Sequence, residues 1–170
     1  MIFSPQQLET FLAVKIENFA WHKDNIAYSG CTFCVGSNKV AFRKAKVTPK
    51  KIGAFVAIWD KSVANKNVPL ASQNLDYLLI ACEDGVWDGL FVFPKAVLLE
   101  KNIISENGNG GKLGFRVYPP WVSPDNAQAI DTQKWQMVYF VDLDKPESND
   151  FFKRIAGNTI WATGNLATHN

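Results

Sequence analysis

The sequence predicts an α+β domain of mixed α/β character, in which a central mixed sheet is flanked by helices. Three observations support this class. A helix-start motif with apolar residues at helical spacing opens the chain, strand-like apolar segments separated by turn residues follow, and helical segments then alternate with a strand. With 170 residues, 47% hydrophobic and 20% charged, the chain has the size and composition of a single globular domain, 1–170.

The first predicted element is a helix at the N-terminus. Ser4 suits the N-cap, Pro5 fits the first turn, and Gln7 completes a capping box. Apolar residues then recur at helical spacing and are expected to share one buried face: Leu8, Phe11, Leu12, Ile16 and Phe19.

Strand-like segments dominate the middle of the chain. A meander is predicted from "YSGCTFCVG" (28–36), "KVAFRKAKV" (39–47) and "GAFVAIW" (53–59), with a tight turn between the first two. A hairpin is predicted from "LDYLLIAC" (75–82) and "GLFVFPK" (89–95), because the intervening "EDGVWD" is rich in turn residues.

Helices alternate with a strand in the remaining part of the chain. "KAVLLEKN" (95–102) predicts a short helix, and "LGFRVY" (113–118) predicts a strand. Between them, "ISENGNGGK" (104–112) is interpreted as an exposed loop, because its glycines match neither a P-loop nor a dinucleotide-binding motif.

The longest helix is predicted to begin at Ser123 and Pro124 and to run through residue 140. Its core-facing positions are expected to be Ala127, Ile130, the stem of Lys134, and Val138. A last short helix is predicted over "NDFFKRIAG" (149–157).

The cysteines do not predict a metal site or a cofactor. Cys31 and Cys34 have CxxC spacing, but positions three apart on a strand point to opposite faces, and no second CxxC accompanies them. Together with Cys82 they are interpreted as structural thiols. Three cysteines, no signal-like N-terminus and no long apolar run predict a cytoplasmic protein without a membrane partner.

Basic residues concentrate in the segment 39–51, although the net charge is only +2. This segment has six cations and no carboxylate: Lys39, Arg43, Lys44, Lys46, Lys50 and Lys51. Two interpretations are open, a solvated hairpin edge or a phosphate-facing surface.

Four segments in order, "KVTPKKIGAFVAIW", "GLFVFPK", "GFRVYPPW" and "TQKWQMVYF", resemble the MepB family of small bacterial proteins, sometimes encoded beside a multidrug efflux system. The resemblance implies a PD-(D/E)xK endonuclease-like core, made of a helix, three antiparallel strands, a helix and a fourth strand. On this sequence the three strands are "GAFVAIW", "LDYLLIAC" and "GLFVFPK", the helix is "KAVLLEKN", and the fourth strand is "LGFRVY".

The resemblance also locates where catalytic residues of such nucleases would lie. Asp76 occupies the first acidic position, and the following triplet is Phe93, Pro94 and Lys95. No Asp or Glu in the chain is followed two residues later by Lys, so the triplet is absent. A degenerate, non-catalytic site is therefore expected, with a divergent metal-dependent nuclease as the alternative.

The sequence therefore predicts a protein that binds nucleic acid, as single-stranded DNA or RNA, with cations on phosphates and rings on bases. Arg116 and Tyr118 share a strand face, and Lys95 is expected near Arg116. The predicted contacts are Arg43, Lys44, Lys46, Lys50, Lys51, Lys95, Arg116, Tyr118, Trp121, Gln133 and Lys134.

Other roles for these residues are also open. Arg116 equally suits an ion pair with Asp125 or Asp131, Trp121 equally suits core packing, and Gln133 with Lys134 equally suits a solvated helix face. A small-molecule or protein interaction module linked to drug resistance is a further alternative for the whole protein. The sequence leaves the oligomeric state open.

Overall fold

A computed structural model describes residues 4–145, which form two main β-sheets with helices packed on them. The helices are α1 (Pro5–Leu12), α2 (Lys95–Glu100) and α3 (Ala127–Met137), with 3-10 helices at Lys23–Tyr28 and Ser72–Asn74. The strands are β1 (Glu17–Trp21), β2 (Cys31–Val35), β3 (Asn38–Lys44), β4 (Lys46–Thr48), β5 (Lys51–Ala57), β6 (Asp60–Lys61), β7 (Asn67–Val68), β8 (Tyr77–Asp84), β9 (Trp87–Pro94), β10 (Gly114–Val117) and β11 (Phe140–Asp142). The predicted mixed α+β class is confirmed.

The larger sheet has six strands in the order β1-β2-β3-β8-β9-β11. All of its pairs are antiparallel except the central one, where β3 and β8 run parallel with Phe42 opposite Leu79. The predicted hairpins β2–β3 and β8–β9 are both present.

The smaller sheet has three strands in the order β10-β5-β4, and β6 pairs only with β7. The predicted single sheet is therefore incomplete, and "KVAFRKAKV" is divided between β3 and β4 at Ala45. Because β8 takes the free edge of β3 as its parallel partner, β5 cannot continue the meander and pairs with β4 and β10 instead.

The strand placement taken from the nuclease resemblance is wrong for the same reason. Of its three antiparallel strands, only β8 and β9 are neighbours, while β5 lies in the other sheet and pairs with the supposed fourth strand, β10. Alternating apolar residues define a strand but do not choose its partner.

The N-terminal helix begins as predicted and ends earlier. The Ser4 hydroxyl accepts a hydrogen bond from the Gln7 amide at 3.1 Å, and the Gln7 side chain accepts one from the Ser4 amide at 2.8 Å. Ala13 then has a φ of 55°, which ends the helix, so that Ile16 lies beyond it and Phe19 lies in β1.

Helix α3 begins later than predicted and buries a different face. Its N-cap is Asn126, whose side chain accepts a hydrogen bond from the Ala129 amide at 2.9 Å. Its buried residues are Ala129 and Gln136. The four positions predicted to face the core are all exposed: Ala127, Ile130, Lys134 and Val138.

The helix predicted over 149–157 lies outside the described residues. Within residues 4–145, no helix is long and apolar enough to cross a membrane.

The six-stranded sheet separates two apolar cores. On one side, Leu8 and Leu12 of α1 pack with Phe33, Phe42 and Leu79. On the other side, alternate residues of β8 and β9, namely Leu78, Ile80, Phe91 and Phe93, pack against residues of the smaller sheet such as Val117. Both faces of β3, β8 and β9 are therefore buried, as expected for central strands.

Gly53 provides a test of how closely the smaller sheet is packed. It has a φ of 87°, and a Cβ there would lie 2.7 Å from a ring carbon of Tyr118 and 2.9 Å from the Val117 carbonyl oxygen. We expect Gly53→Ala to lower the free energy of unfolding by about 2 to 4 kcal/mol, since strained backbone and steric overlap add. Urea unfolding measures the loss.

Gly85→Ala is the matched control, because Gly85 also has a positive φ, 62°, but has no atom within 4 Å of a Cβ. It carries the backbone cost alone, about 1 kcal/mol. Equal losses for the two variants would contradict close packing at Gly53.

Candidate functional site

A cleft of about 610 Å³ lies between the smaller sheet and α3, and cations from several segments line it. The turn before β5 contributes Lys50, β5 itself Lys51, the end of α2 Lys101, the following loop Lys112, and β10 Arg116. The lining includes one carboxylate, that of Asp125. The cleft among the described residues therefore has an excess of positive charge.

The cleft cations are not neutralised by nearby carboxylates. Within residues 4–145, ion pairs form elsewhere, and none involves the five cleft cations. Their charges remain available to an anion from outside.

Arg116 is held in position by backbone and hydroxyl oxygens. Its Nη1 donates to the Ile52 carbonyl oxygen at 3.2 Å, and its Nη2 donates to the Thr48 hydroxyl at 2.7 Å. Within residues 4–145, Arg116 forms neither of the ion pairs considered, with Asp125 or with Asp131, and Asp131 lies 3.9 Å from Lys134 instead. A positioned guanidinium with no carboxylate partner is suited to recognise an anion.

Aromatic rings lie in the same cleft. Tyr118 shares it with Arg116, and Phe115 and Trp135 also line it, although strand alternation favours the opposite face for Phe115. Trp135 packs on Phe93 with ring centres 5.5 Å apart, and the Lys101 ammonium lies 5.5 Å from the Trp135 ring centre. The cleft thus combines cations with aromatic surface.

Gln136 joins α3 to the edge of β10, a contact that the sequence did not predict. The fully buried side chain accepts a hydrogen bond from the Tyr118 amide and donates one to the Arg116 carbonyl oxygen, both at 2.9 Å. The amide takes the place of a neighbouring strand. A sequence signal existed in the spacing of Gln133 and Gln136, which lie three residues apart in the predicted helix and so share one of its sides.

Gln133 has a structural role instead of the predicted phosphate contact. Its Nε2 donates to the carbonyl oxygens of Pro119 and Val122, at 3.0 and 2.9 Å. Lys134, the neighbouring predicted contact, is three-quarters exposed and lies against Asp131 outside the cleft.

The basic segment 39–51 does not form one continuous surface. Lys50 and Lys51 line the cleft, but Lys44 pairs with Glu83 at 3.4 Å, and Lys46 lies over the Tyr28 ring at 4.6 Å. Of the predicted contacts in this segment, only Lys50 and Lys51 therefore line the cleft, because neighbouring residues in the chain point to different surfaces.

The prediction that Arg43 contacts nucleic acid is wrong. Its side chain is fully buried and cannot contact a phosphate at the surface. Its Nη1 donates to the Phe42 carbonyl oxygen at 2.8 Å. Burial lowers the pKa of Arg43 to about 10. Both faces of central strand β3 are covered, so a side chain on either face lies inside.

Asp76 holds together the strands that surround it. Its carboxylate accepts a hydrogen bond from the Lys39 amide at 2.8 Å and lies 3.5 Å from the Lys95 ammonium. Its backbone donates to the Lys39 carbonyl oxygen at 2.7 Å and accepts from the Lys95 amide at 2.9 Å. Asp76 therefore links the starts of β3 and β8 to the end of β9.

The triplet positions do not line the cationic cleft, although Phe93 packs behind its aromatic residues Phe115 and Trp135. Phe93 is fully buried, and Lys95 faces Asp76 and is not among the residues that line the cleft around Arg116. The predicted approach of Lys95 to Arg116 is thus not observed, because β9 and β10 belong to different sheets.

Metal binding finds little support in the geometry. Among the described residues, no group of three His, Cys, Asp or Glu side chains is placed to hold an ion. The carboxylates nearest in sequence, Glu83 and Asp84, cannot join Asp76 in binding one ion. They end strand β8, whereas Asp76 precedes it, so roughly 23 Å of extended strand separates them from Asp76.

The cysteines also show no metal or redox arrangement. Cys31 and Cys82 are buried, Cys34 is half-buried, and all three are free thiols. Burial raises the pKa of Cys31 to about 12 and also raises the pKa of Cys82, which keeps both protonated at neutral pH.

Trp121 lines a second pocket of about 300 Å³ rather than the cationic cleft. It stacks on Trp87 with ring centres 6.0 Å apart and meets the edge of Phe140 at 5.8 Å. Lys51 and Ile52 line both pockets and separate them.

Comparison with known proteins gives two matches. Residues 22–142 match the model of a family described as MepB-like. A crystal structure of MepB is similar to this chain at 36% sequence identity and a TM-score of 0.74, covering 85% of this chain and 99% of that one. No curated protein sequence matches the chain.

The contacts of Asp76 predict a contribution to stability. We expect Asp76→Ala to lower the free energy of unfolding by about 1 to 3 kcal/mol, because the Lys39 amide and the Lys95 ammonium lose their acceptor. Asp131→Ala, which removes an exposed ion pair, should change it by less than about 0.5 kcal/mol. Equal urea midpoints for the two variants would contradict the structural role of Asp76.

Gln136→Leu tests the contact between α3 and β10. The substitution keeps the volume but leaves the Tyr118 amide and the Arg116 carbonyl unpaired in the interior, so we expect a loss of about 3 kcal/mol. Gln128→Leu, at an exposed position of the same helix, is the control and should be nearly neutral. Guanidinium unfolding that failed to separate them would argue against a buried amide contact.

Proposed function

Within the MepB-like family, to which this chain belongs, we propose that this protein binds single-stranded DNA or RNA in the cationic cleft. The observation that carries the proposal is the convergence on one cleft of five cations that form no ion pair within residues 4–145. They come from segments far apart in sequence, so their convergence is produced by the fold and not by one basic run. Phosphate contacts from lysine and arginine dominate the affinity of proteins for nucleic acid.

The aromatic residues of the cleft support a single-stranded ligand. Phe115, Tyr118 and Trp135 lie among the cations, where unpaired bases can stack on them at about 1 to 3 kcal/mol per base. The bases of a duplex are already stacked on each other, so a duplex would use only the phosphate contacts. Such stacking tolerates any base, and the proposal therefore includes no sequence preference.

The first turn of α3 adds to the attraction for phosphate. Asn126, Gln128 and Ala129 line the cleft beside Arg116. Backbone amides at a helix N-terminus carry a partial positive charge and favour anions. Asp125 opposes this effect locally, so the term is secondary to the lysines.

We further propose that binding occurs without catalysis, on a scaffold that keeps the β8–β9 hairpin and following helix of a PD-(D/E)xK nuclease core but not its full strand order, and whose catalytic positions are degenerate. Phe93 occupies the position of the second carboxylate and is buried, and the Asp76 carboxylate is engaged with the Lys39 amide and the Lys95 ammonium. A magnesium site needs several free oxygen ligands, which this arrangement does not supply.

Fluorescence anisotropy of a labelled single-stranded oligonucleotide over a salt series in EDTA tests the proposal. We expect log affinity to fall linearly with log salt, with a slope of about −0.7 for each phosphate contact. Lys112→Gln should reduce the magnitude of the slope by about 0.7, since it removes one cleft cation.

Lys134→Gln is the matched control, because Lys134 has the same charge but lies outside the cleft beside Asp131. Absence of binding at low salt would overturn the proposed function, and equal slopes for the two variants would overturn this location for it. Cleavage that needs manganese and disappears in Asp76→Ala would instead support the nuclease alternative.

A further inference from the structure

The second pocket has different chemistry from the cationic cleft. It lies between the β4–β5 hairpin, the end of β8 and residues 119–123. Its volume of about 300 Å³ is at the lower end of the range for small-molecule sites. The lining is mainly apolar and includes Val47, Ile52, Cys82, Pro119, Trp121 and Val122.

The walls of this pocket are fixed before any ligand binds. Gln133 donates hydrogen bonds to the carbonyl oxygens of Pro119 and Val122, which ties residues 119–122 to α3. Trp121 is held by its stack on Trp87 and by the edge of Phe140. A pre-organised apolar wall lowers the entropic cost of binding a ring.

Two carboxylates, Glu83 and Asp84 at the end of β8, line the side of the pocket next to the β8–β9 turn. Glu83 is paired with Lys44, whereas the carboxylate of the exposed Asp84 forms no ion pair or side-chain hydrogen bond within residues 4–145. Among the described residues, the only lysine in the lining is Lys51, on the wall shared with the cationic cleft.

Further carboxylates lie near Glu83. Asp88 follows the hairpin turn, and its pKa is raised by burial and by the charges of Glu83 and Asp144, with Lys44 acting in the opposite direction. Asp142 pairs with Lys145 at 3.8 Å and so adds little. Among the described residues near this pocket, the carboxylates of Glu83, Asp84, Asp88 and Asp144 thus outnumber the ammonium groups of Lys44 and Lys51.

We infer that the second pocket binds a small aromatic cation, with its ring against the apolar wall near Trp121 and its charge at Asp84. An apolar wall contributes most to the affinity, and the carboxylate selects the sign of the ligand's charge. A tryptophan ring also attracts cations through its π-electrons. The inference does not depend on nucleic-acid binding, because Asp84, Trp121 and Val122 do not line the cationic cleft.

Isothermal titration with two probes that share a ring tests the charge selection. The probes are 1-naphthylmethylammonium and 1-naphthylacetate. We expect the ammonium to bind with one-to-one stoichiometry and the acetate to bind at least fivefold more weakly. Asp84→Asn should weaken the ammonium about fivefold, the effect of one exposed ion pair, and should not weaken the acetate.

Two further variants keep the result interpretable. Glu106→Gln removes an exposed carboxylate that lines neither pocket and should leave both affinities unchanged. Val122→Trp fills the pocket while preserving the backbone bond to Gln133, and should abolish binding of both probes. Thermal unfolding of each variant verifies that it is folded.

Three results would overturn the inference. Failure of the ammonium to bind at millimolar concentration would remove the site. Equal binding of both probes, unchanged by Asp84→Asn, would show an apolar site without charge selection. Persistence of ammonium binding in folded Val122→Trp would place the probe elsewhere.

Discussion

Both pockets depend on one contact. The buried side-chain amide of Gln136 forms hydrogen bonds with the backbone at the edge of β10. β10 is an edge strand, and its free backbone groups at Arg116 and Tyr118 would otherwise remain unpaired beneath α3. Unpaired backbone groups in the interior are costly, so the helix and the strand are bound to each other. The cationic cleft lies along this contact, and Gln133, one turn earlier, fixes the wall of the second pocket.

The division of the chain into two sheets determines what the charged residues do. A basic residue on a central strand is buried, as Arg43 is, whereas one near a hairpin tip or strand end reaches solvent, as Lys50 and Lys51 do. The same rule separates the acidic residues, because Asp76 precedes β8 and bonds to neighbouring strands while Asp84 ends it and is exposed. Position within the sheet, rather than charge density along the chain, therefore decides the role.

Local signals in the sequence were sufficient for local structure. The capping box at Ser4, the two hairpins and the helix after Pro94 were all predicted because each depends on residues close together in the chain. Sheet membership depends on pairing between distant segments, such as β3 with β8, and alternating apolar residues do not specify it. The buried face of α3 was missed because a hydrophobicity pattern cannot anticipate that a glutamine will pair with a strand edge.

The sequence predicted only residues of the candidate site that lie close together in the chain. Strand alternation predicted that Arg116 and Tyr118 share a face, and both line the cleft, but so does Phe115, which alternation places on the opposite face. Lys101 and Lys112 were missed because they enter the cleft from α2 and from the following loop, which tertiary structure alone brings beside β10.

An acidic residue at the position of Asp76 is explained by its structural contacts alone. It receives the Lys39 amide and faces the Lys95 ammonium, so its charge is used in joining three strands. From the sequence alone, Asp76 and Lys95 would be interpreted as remnants of a catalytic pair. A pair that is engaged in this way has a reason to be present whether or not the protein acts on nucleic acid, and its presence therefore carries no weight as evidence for catalysis.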